Sequence, residues 1–155
     1  MRNNQEATIQ LTATPIIPGA AAGRALVSNE PLSFWGGYDY RTGEITDRRH
    51  PLSGQIAAGC VLCVPFSRGS STTTAVLLEA VRTGAAPAAI ITTGVDSFFA
   101  LASVVADVMY GKPVLVVALS PADFARLRSG DWIEIDEAGQ VTVETEREGN
   151  DPSHR

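Results

Sequence analysis

Seven residues, Ser67-Arg68-Gly69-Ser70-Ser71-Thr72-Thr73, concentrate the polar chemistry of this chain. They lie between the apolar run Val61-Leu62-Cys63-Val64 and a helical pattern that begins near Thr74. A strand ends, the chain turns on Gly69, and hydroxyls fall where a helix begins. The first turn of a helix carries unpaired N–H groups and a partial positive charge. A serine there can cap the helix, bind an anion, or have its alkoxide stabilised. One cap needs one hydroxyl, yet five follow one another from Ser70 to Thr74. Gly69 allows a ligand to approach the backbone closely. Arg68 adds a permanent cation whose fork suits a carboxylate or a phosphate. The stretch therefore reads either as a helix cap or as an anion site with the Ser70 hydroxyl at its centre.

A second polar cluster, Asp47-Arg48-Arg49-His50, precedes Pro51. It reads as a solvated turn with local ion pairs, which are weak when exposed, or as part of a site. The aromatic stretch Phe34-Trp35-Gly36-Gly37-Tyr38-Asp39 before it reads as a loop packed on the core, a pocket wall or a partner surface. His50 and His154 are the two histidines. A serine-histidine-aspartate triad would require His50 beside Ser70. Cys60 and Cys63 form a C-x-x-C. Strand side chains alternate between faces, so these two point apart and read as ordinary buried cysteines. No second pair completes a four-ligand zinc set. Signatures for nucleotide phosphates, for zincins and for the G-x-S-x-G nucleophile elbow are absent from the sequence.

The chain has 155 residues, 45% hydrophobic and 19% charged, which suits one soluble domain with a real core. Its net charge is −5 and Lys112 is the single lysine. That balance argues against nucleic acid and against a membrane surface, both of which need concentrated positive charge. The first residues lack signal-peptide character and no run approaches the length of a membrane span. The expected compartment is the cytoplasm.

The elements that must hold these residues follow from periodicity and punctuation. Strands are expected at 7–11 and 24–27, the first ended by Pro15, Pro18 and Gly19. Residues 28–55 form a long ordered loop, with a short strand at Gly43-Glu44-Ile45-Thr46. A strand at 60–65, a helix at 71–83, a strand at 88–92, a helix at 97–109 capped by Ser97, and a strand at 114–117 give a central β-α-β-α-β unit. Ser120-Pro121 starts a short helix that stops at Gly130, and a hairpin 132–135/141–143 turns on Asp136 to Gly139. The expected fold is a three-layer β/β/α domain over 7–145, with a flexible start at 1–6 and a disordered tail at 146–155.

The order and spacing of several motifs carry a resemblance. Gly23-Arg24-Ala25, Glu30-Pro31-Leu32-Ser33-Phe34-Trp35-Gly36-Gly37, Thr42-Gly43-x-Ile45-x-Asp47-x-x-His50-Pro51-Leu52-x-Gly54 and Arg68-Gly69-Ser70-Ser71 occur in that order. Across about residues 19–120 the chain resembles the small, swivelling-domain subunit of the aconitase X family, type II. The resemblance implies a swivelling β/β/α fold and a heteromeric hydro-lyase that dehydrates a hydroxy acid. It implies a large-subunit partner that holds iron or an iron-sulfur cluster, with none bound by this chain alone. It gives Ser70 the role of catalytic base. Arg68, Gly69, Ser71 and Thr72 would bind substrate, and His50 and Asp47 would orient the site from behind. The substrate it favours is cis-3-hydroxy-L-proline, converted to pyrroline-2-carboxylate, with mevalonate 5-phosphate as the alternative. The sequence departs from aconitase in placing Arg before the glycine, and from many archaeal relatives in the Thr-Thr-Thr after Ser71.

Two further classes compete. The segment from Leu127 to Val143 is similar to phosphohistidine swivelling domains, but those need a histidine in the turn where this chain has serine and threonine. A non-catalytic binding module would use Ser70 as a cap only.

Overall fold

The computed structural model describes residues 8–69 and 71–145. The expected flexible start, the expected disordered tail and Ser70 lie outside the described residues.

The elements in chain order are β1 (Thr8–Thr12), β2 (Thr14–Ile17), β3 (Ala21–Val27), β4 (Leu32–Ser33), β5 (Val61–Cys63), β6 (Ser67–Arg68), α1 (Ser71–Thr83), β7 (Ala89–Thr92), α2 (Ser97–Tyr110), β8 (Leu115–Ala118), α3 (Pro121–Phe124), β9 (Trp132–Ile135) and β10 (Gln140–Glu144). Eight strands join in the order β1-β10-β9-β3-β5-β7-β8-β2, and β4 and β6 form a separate parallel pair. β3 serves both halves of the large sheet. Ala21 to Arg24 pair antiparallel with β9, and Ala25 to Val27 pair parallel with β5. β5, β7 and β8 continue in parallel, and β5-α1-β7-α2-β8 is the expected central unit.

Two apolar clusters lie on the two faces of this parallel sheet. Leu62, Ile90 and Val116 face α1 and α2, which bring Leu77, Ala80, Phe99, Ala102 and Ala106. Val61, Ile91 and Val117 face the other way, onto Leu11 of β1, Ile133 and Ile135 of β9, and Val141 and Val143 of β10. The antiparallel half thus folds back over the parallel half, and the layers are β, β and α. Adjacent strand residues feed opposite cores, as side-chain alternation requires. Cys63 is buried inside the second cluster as expected, whereas Cys60 precedes β5, is only half-buried and packs on the helical cluster.

Several expectations are corrected. β2 is a strand despite Pro15. It lies at the sheet edge beside β8, where a proline costs no ladder bond that a central strand would need. Residues 43–46 contribute two isolated bridges, Tyr38 to Ile45 and Glu44 to Ile56, rather than a strand. α2 is capped by Asp96 and not by Ser97: the Asp96 side chain accepts from the N–H groups of Phe98 and Phe99. The third helix ends at Phe124 and reaches Gly130 through turns.

The long segment 28–55 is anchored rather than loose. Leu32, Phe34, Tyr38, Ile45 and Leu52 are buried in it. Phe34 stacks on Tyr38 at 4.8 Å and meets Phe99 of α2 edge-on at 5.3 Å. The Tyr38 hydroxyl donates to the Ala85 carbonyl at 2.7 Å, and its burial pushes the phenol well above its ordinary range. Gly43 sits at φ +80°, and a Cβ there would lie 2.7 Å from Ala58. Only glycine lets this segment close down on the connections at Ala58 and Ala85.

Candidate functional site

The polar residues singled out by sequence come from three places. Glu30 and Pro31 follow β3, Arg68 ends β6 just after β5, and Asp47 to His50 come from the long segment. Glu30, Pro31, Asp47, Arg49, His50 and Arg68 line one cavity of about 410 Å³. It opens beyond the carboxyl ends of the parallel strands β3 and β5, the edge where open α/β sheets place ligands. Arg68, Asp47 and His50 lie 18 or more residues apart across this cavity in the chain or three apart within the turn, so the fold brings the two clusters together.

Arg68 is held by its backbone. β6 pairs with β4, with Ser33 opposite Arg68. The Thr73 hydroxyl, fully buried, donates to the Arg68 carbonyl at 2.7 Å. Gly69 follows at φ +98°, and its carbonyl accepts from Thr72 N–H at 3.1 Å. The guanidinium is exposed and, among the described residues, makes no salt bridge. A cation with its backbone fixed and its head free is suited to an anionic ligand.

Asp96 is the residue that sequence reasoning missed. Its Oδ2 accepts from both the N–H and the hydroxyl of Ser67 at 2.7 Å, while Oδ1 caps α2. One buried carboxylate thereby ties the start of α2 to the strand that carries Arg68. The signal was present as an Asp at a helix start, but the neighbouring Ser97 offered an equally good cap.

The surplus of hydroxyls is partly structural. Thr73 braces Arg68, and the Thr74 hydroxyl donates to the Phe98 carbonyl at 3.1 Å. Ser71 is exposed and Thr72 half-buried, and neither side chain has a hydrogen bond among the described residues. They stand on the first turn of α1, toward the positive end of its dipole.

His50 is buried with both ring nitrogens engaged. Nδ1 accepts from Leu52 N–H at 3.1 Å, which puts the proton on Nε2, and Nε2 donates to the Glu30 carbonyl at 3.3 Å. The imidazole therefore ties the 47–52 turn to Glu30, which lines the same cavity. Asp47 shapes the same turn: its Oδ1 accepts from Arg49 N–H at 3.0 Å and its carbonyl from His50 N–H at 3.1 Å. The aromatic stretch divides. Phe34 and Tyr38 belong to the core, and Trp35 stands exposed beside β4.

Metal ligands are a separate matter. Among the described residues, no group of three or more His, Cys, Asp or Glu side chains could hold a metal ion. Burial raises the thiols of Cys63 and Cys60 above the ordinary value, so neither is an activated thiolate. The described residues do not fit an iron site.

Three layers, with an arginine and a run of hydroxyls at the carboxyl edge of the parallel strands, define the class: a swivelling β/β/α domain. The sequence profile of the aconitase X swivel domain matches residues 10–144, and the chain belongs to that family. It is 35% identical over 131 residues to a cis-3-hydroxy-L-proline dehydratase of Hypocrea jecorina, covering 84% of this chain and 22% of the relative. A cis-3-hydroxy-L-proline dehydratase of Pseudomonas aeruginosa is 39% identical, with 77% of this chain and 20% of the relative covered. The chain thus spans about a fifth of the length of these two relatives. A phosphomevalonate dehydratase small subunit of Methanosarcina acetivorans is 31% identical, with 82% of this chain and 85% of the relative covered. Among solved structures, aconitase X of Thermococcus kodakaraensis in its holo form superposes with a TM-score of 0.78 at 29% identity, covering 88% of this chain and 99% of that one.

Proposed function

We propose that this chain is the small subunit of an iron-dependent hydro-lyase of the aconitase X type. It supplies the base and part of the anion site for dehydration of a small hydroxy acid. One observation carries the reading. In a member of this family, the fold gathers Arg68, Arg49, His50 and Asp47 around one cavity at the edge where α1 begins. Ser70, outside the described residues, stands in sequence between Arg68 and the first turn of α1 and is the base of this reading.

Dehydration beside a carboxylate removes a weakly acidic C–H proton and expels the hydroxyl, with water as the net product. Arg68 would bind the substrate carboxylate through paired N–H groups. Gly69, Ser71 and Thr72 would offer backbone and hydroxyl contacts to its other oxygens. Ser70 would take the proton at Oγ. His50 and Asp47 would hold the facing wall in place. The dipole of α1 favours an alkoxide by about 0.3–2 kcal/mol, or about one pKa unit. That is far too little for a serine hydroxyl at neutral pH. The base therefore needs further positive charge from a partner, and the iron centre implied by the family is assigned to that large subunit.

The preferred substrate is cis-3-hydroxy-L-proline, on the likeness to the Hypocrea and Pseudomonas dehydratases. A second reading, mevalonate 5-phosphate, is favoured by the archaeal small subunit matched over 85% of its length and by the two arginines lining the cavity. The test is anaerobic assay of the complex of this chain with its large subunit against both compounds, with Ser70→Ala as control. Turnover of one compound, abolished by the substitution while the complex persists, supports the reading and names the substrate. A stable complex inert toward both, or one unaffected by Ser70→Ala, overturns the catalytic role.

A further inference from the structure

The two long helices over the parallel sheet present different outward faces. α1 ends in an exposed Glu79–Arg82 ion pair. α2 has one charged side chain, Asp107, in 14 residues. Its inward face is Phe99, Ala102, Ser103 and Ala106. Its outward face is as apolar: Leu101 is 53% exposed, Val104 50% and Val108 82%. Spacings of three and four residues align these side chains in one stripe. A helix apolar on every side belongs in a place buried on every side, and here one side is open. Of the ten large apolar side chains exposed among the described residues, six are on α2 or at Val95, two residues before it.

The stripe is continuous with the candidate site. Asp96 joins the start of α2 to Ser67, so exposed Phe66 and Val95 each stand one residue from that junction. Thr74 of α1 bonds the Phe98 carbonyl at the same end of α2. The start of the stripe is therefore tied to the strand that carries Arg68.

We propose that the outward face of α2 is the surface on which the large subunit docks, an inference that rests on the hydro-lyase reading above. Two observations select that occupant. The stripe starts at the turn carrying Arg68, which in that reading must meet the large subunit's half of the active site. The matched region is 22% and 20% of the two hydroxyproline dehydratases, so most of each molecule lies outside this domain and is available to cover it.

The test uses the full chain and the large subunit of its own source. Val104→Glu, Val108→Glu and, as control on the distant hairpin turn, Glu137→Lys are compared with wild type by titration calorimetry. Amide hydrogen exchange of the wild-type chain is followed with and without the large subunit. The expected result is native circular dichroism for all variants, binding weakened about tenfold or more by each valine replacement, and unchanged binding for Glu137→Lys. Amides of α2 gain protection in the wild-type complex, a readout that stands even if a variant fails to fold. Full-affinity binding by both valine variants overturns the docking surface and leaves the hydro-lyase reading standing. Failure of the wild-type chain to bind the large subunit overturns both. Loss of self-association in Val104→Glu with the complex intact assigns the stripe to a second copy and overturns the proposal.

Discussion

Replacing Asp96 by Asn separates the two tasks of its carboxylate. The remaining carbonyl oxygen still caps α2, but the amide now presents N–H to the Ser67 N–H that bonded Oδ2. A buried donor left unsatisfied costs about 1–3 kcal/mol. Thermal unfolding of Asp96→Asn should show that loss, and Asp96→Ala a larger one that includes about 1 kcal/mol for the lost cap. In the complex with the large subunit proposed above, Arg68→Lys keeps the charge and loses the bidentate fork. Its kcat/KM should fall about tenfold or more, since a hydrogen bond to a charged group contributes about 1.5–3 kcal/mol. Steady-state kinetics with the chosen hydroxy acid checks this, and an unchanged value would remove Arg68 from the substrate's contacts. Cys63 offers a prediction in pH. Its thiol is held above the ordinary 9.0 by burial first and by the charge of Asp131 second. Below pH 9 both folded and unfolded chains keep that proton; above it the unfolded chain releases the proton and the folded chain does not. The stability due to this group is therefore complete below pH 9 and declines as pH rises. Denaturant titrations of wild type and Cys63→Ala between pH 8 and 10 should show a shallower decline in the variant.

At the scale of elements, the segment between β3 and β5 decides the shape of the cavity, and its glycines are its weakest points. Gly43→Ala would place a methyl 2.7 Å from Ala58 and 2.9 Å from the Ala85 carbonyl at φ +80°. Backbone strain and overpacking each cost about 1–3 kcal/mol, so a melting temperature lower by about 10 °C is expected. An unchanged melt would mean the segment closes less tightly than described. This segment is also where sequence was least informative. α1 and the β9-β10 hairpin announce themselves through helical or alternating apolar spacing, and β7 and β8 through short continuous apolar runs. β4 and β6 are two residues each and carry no period. β2 was concealed by Pro15, because the rule that proline breaks strands relaxes at an edge. The site divides in the same way. Arg68, Asp47 and His50 were legible as residue types crowded in short stretches. Their meeting around one cavity depends on β4 pairing with β6 and on a histidine spanning 20 residues to Glu30, and no local pattern encodes either. Ser97 obscured Asp96 because both are good caps.

For the whole molecule, β3 removes any seam. Its first half belongs to the antiparallel layer and its second to the parallel one, so neither layer has a complete set of partners alone. Unfolding should be a single cooperative transition with the same midpoint by far-ultraviolet and near-ultraviolet circular dichroism. Separate midpoints would show that the layers part independently. A further consequence comes from the outermost pair of the sheet, where Thr8 lies directly opposite Glu144. The path through the described domain is thus nearly a closed ring. Joining these two points and opening the ring in the exposed turn at Glu137 to Ala138 exchanges one hairpin for another and leaves both cores whole. Any tether, attached before β1 or after β10, leaves from the same spot. The same folded body can therefore be carried as a fifth of a long enzyme or as nearly all of a separate subunit, as the lengths of its relatives require.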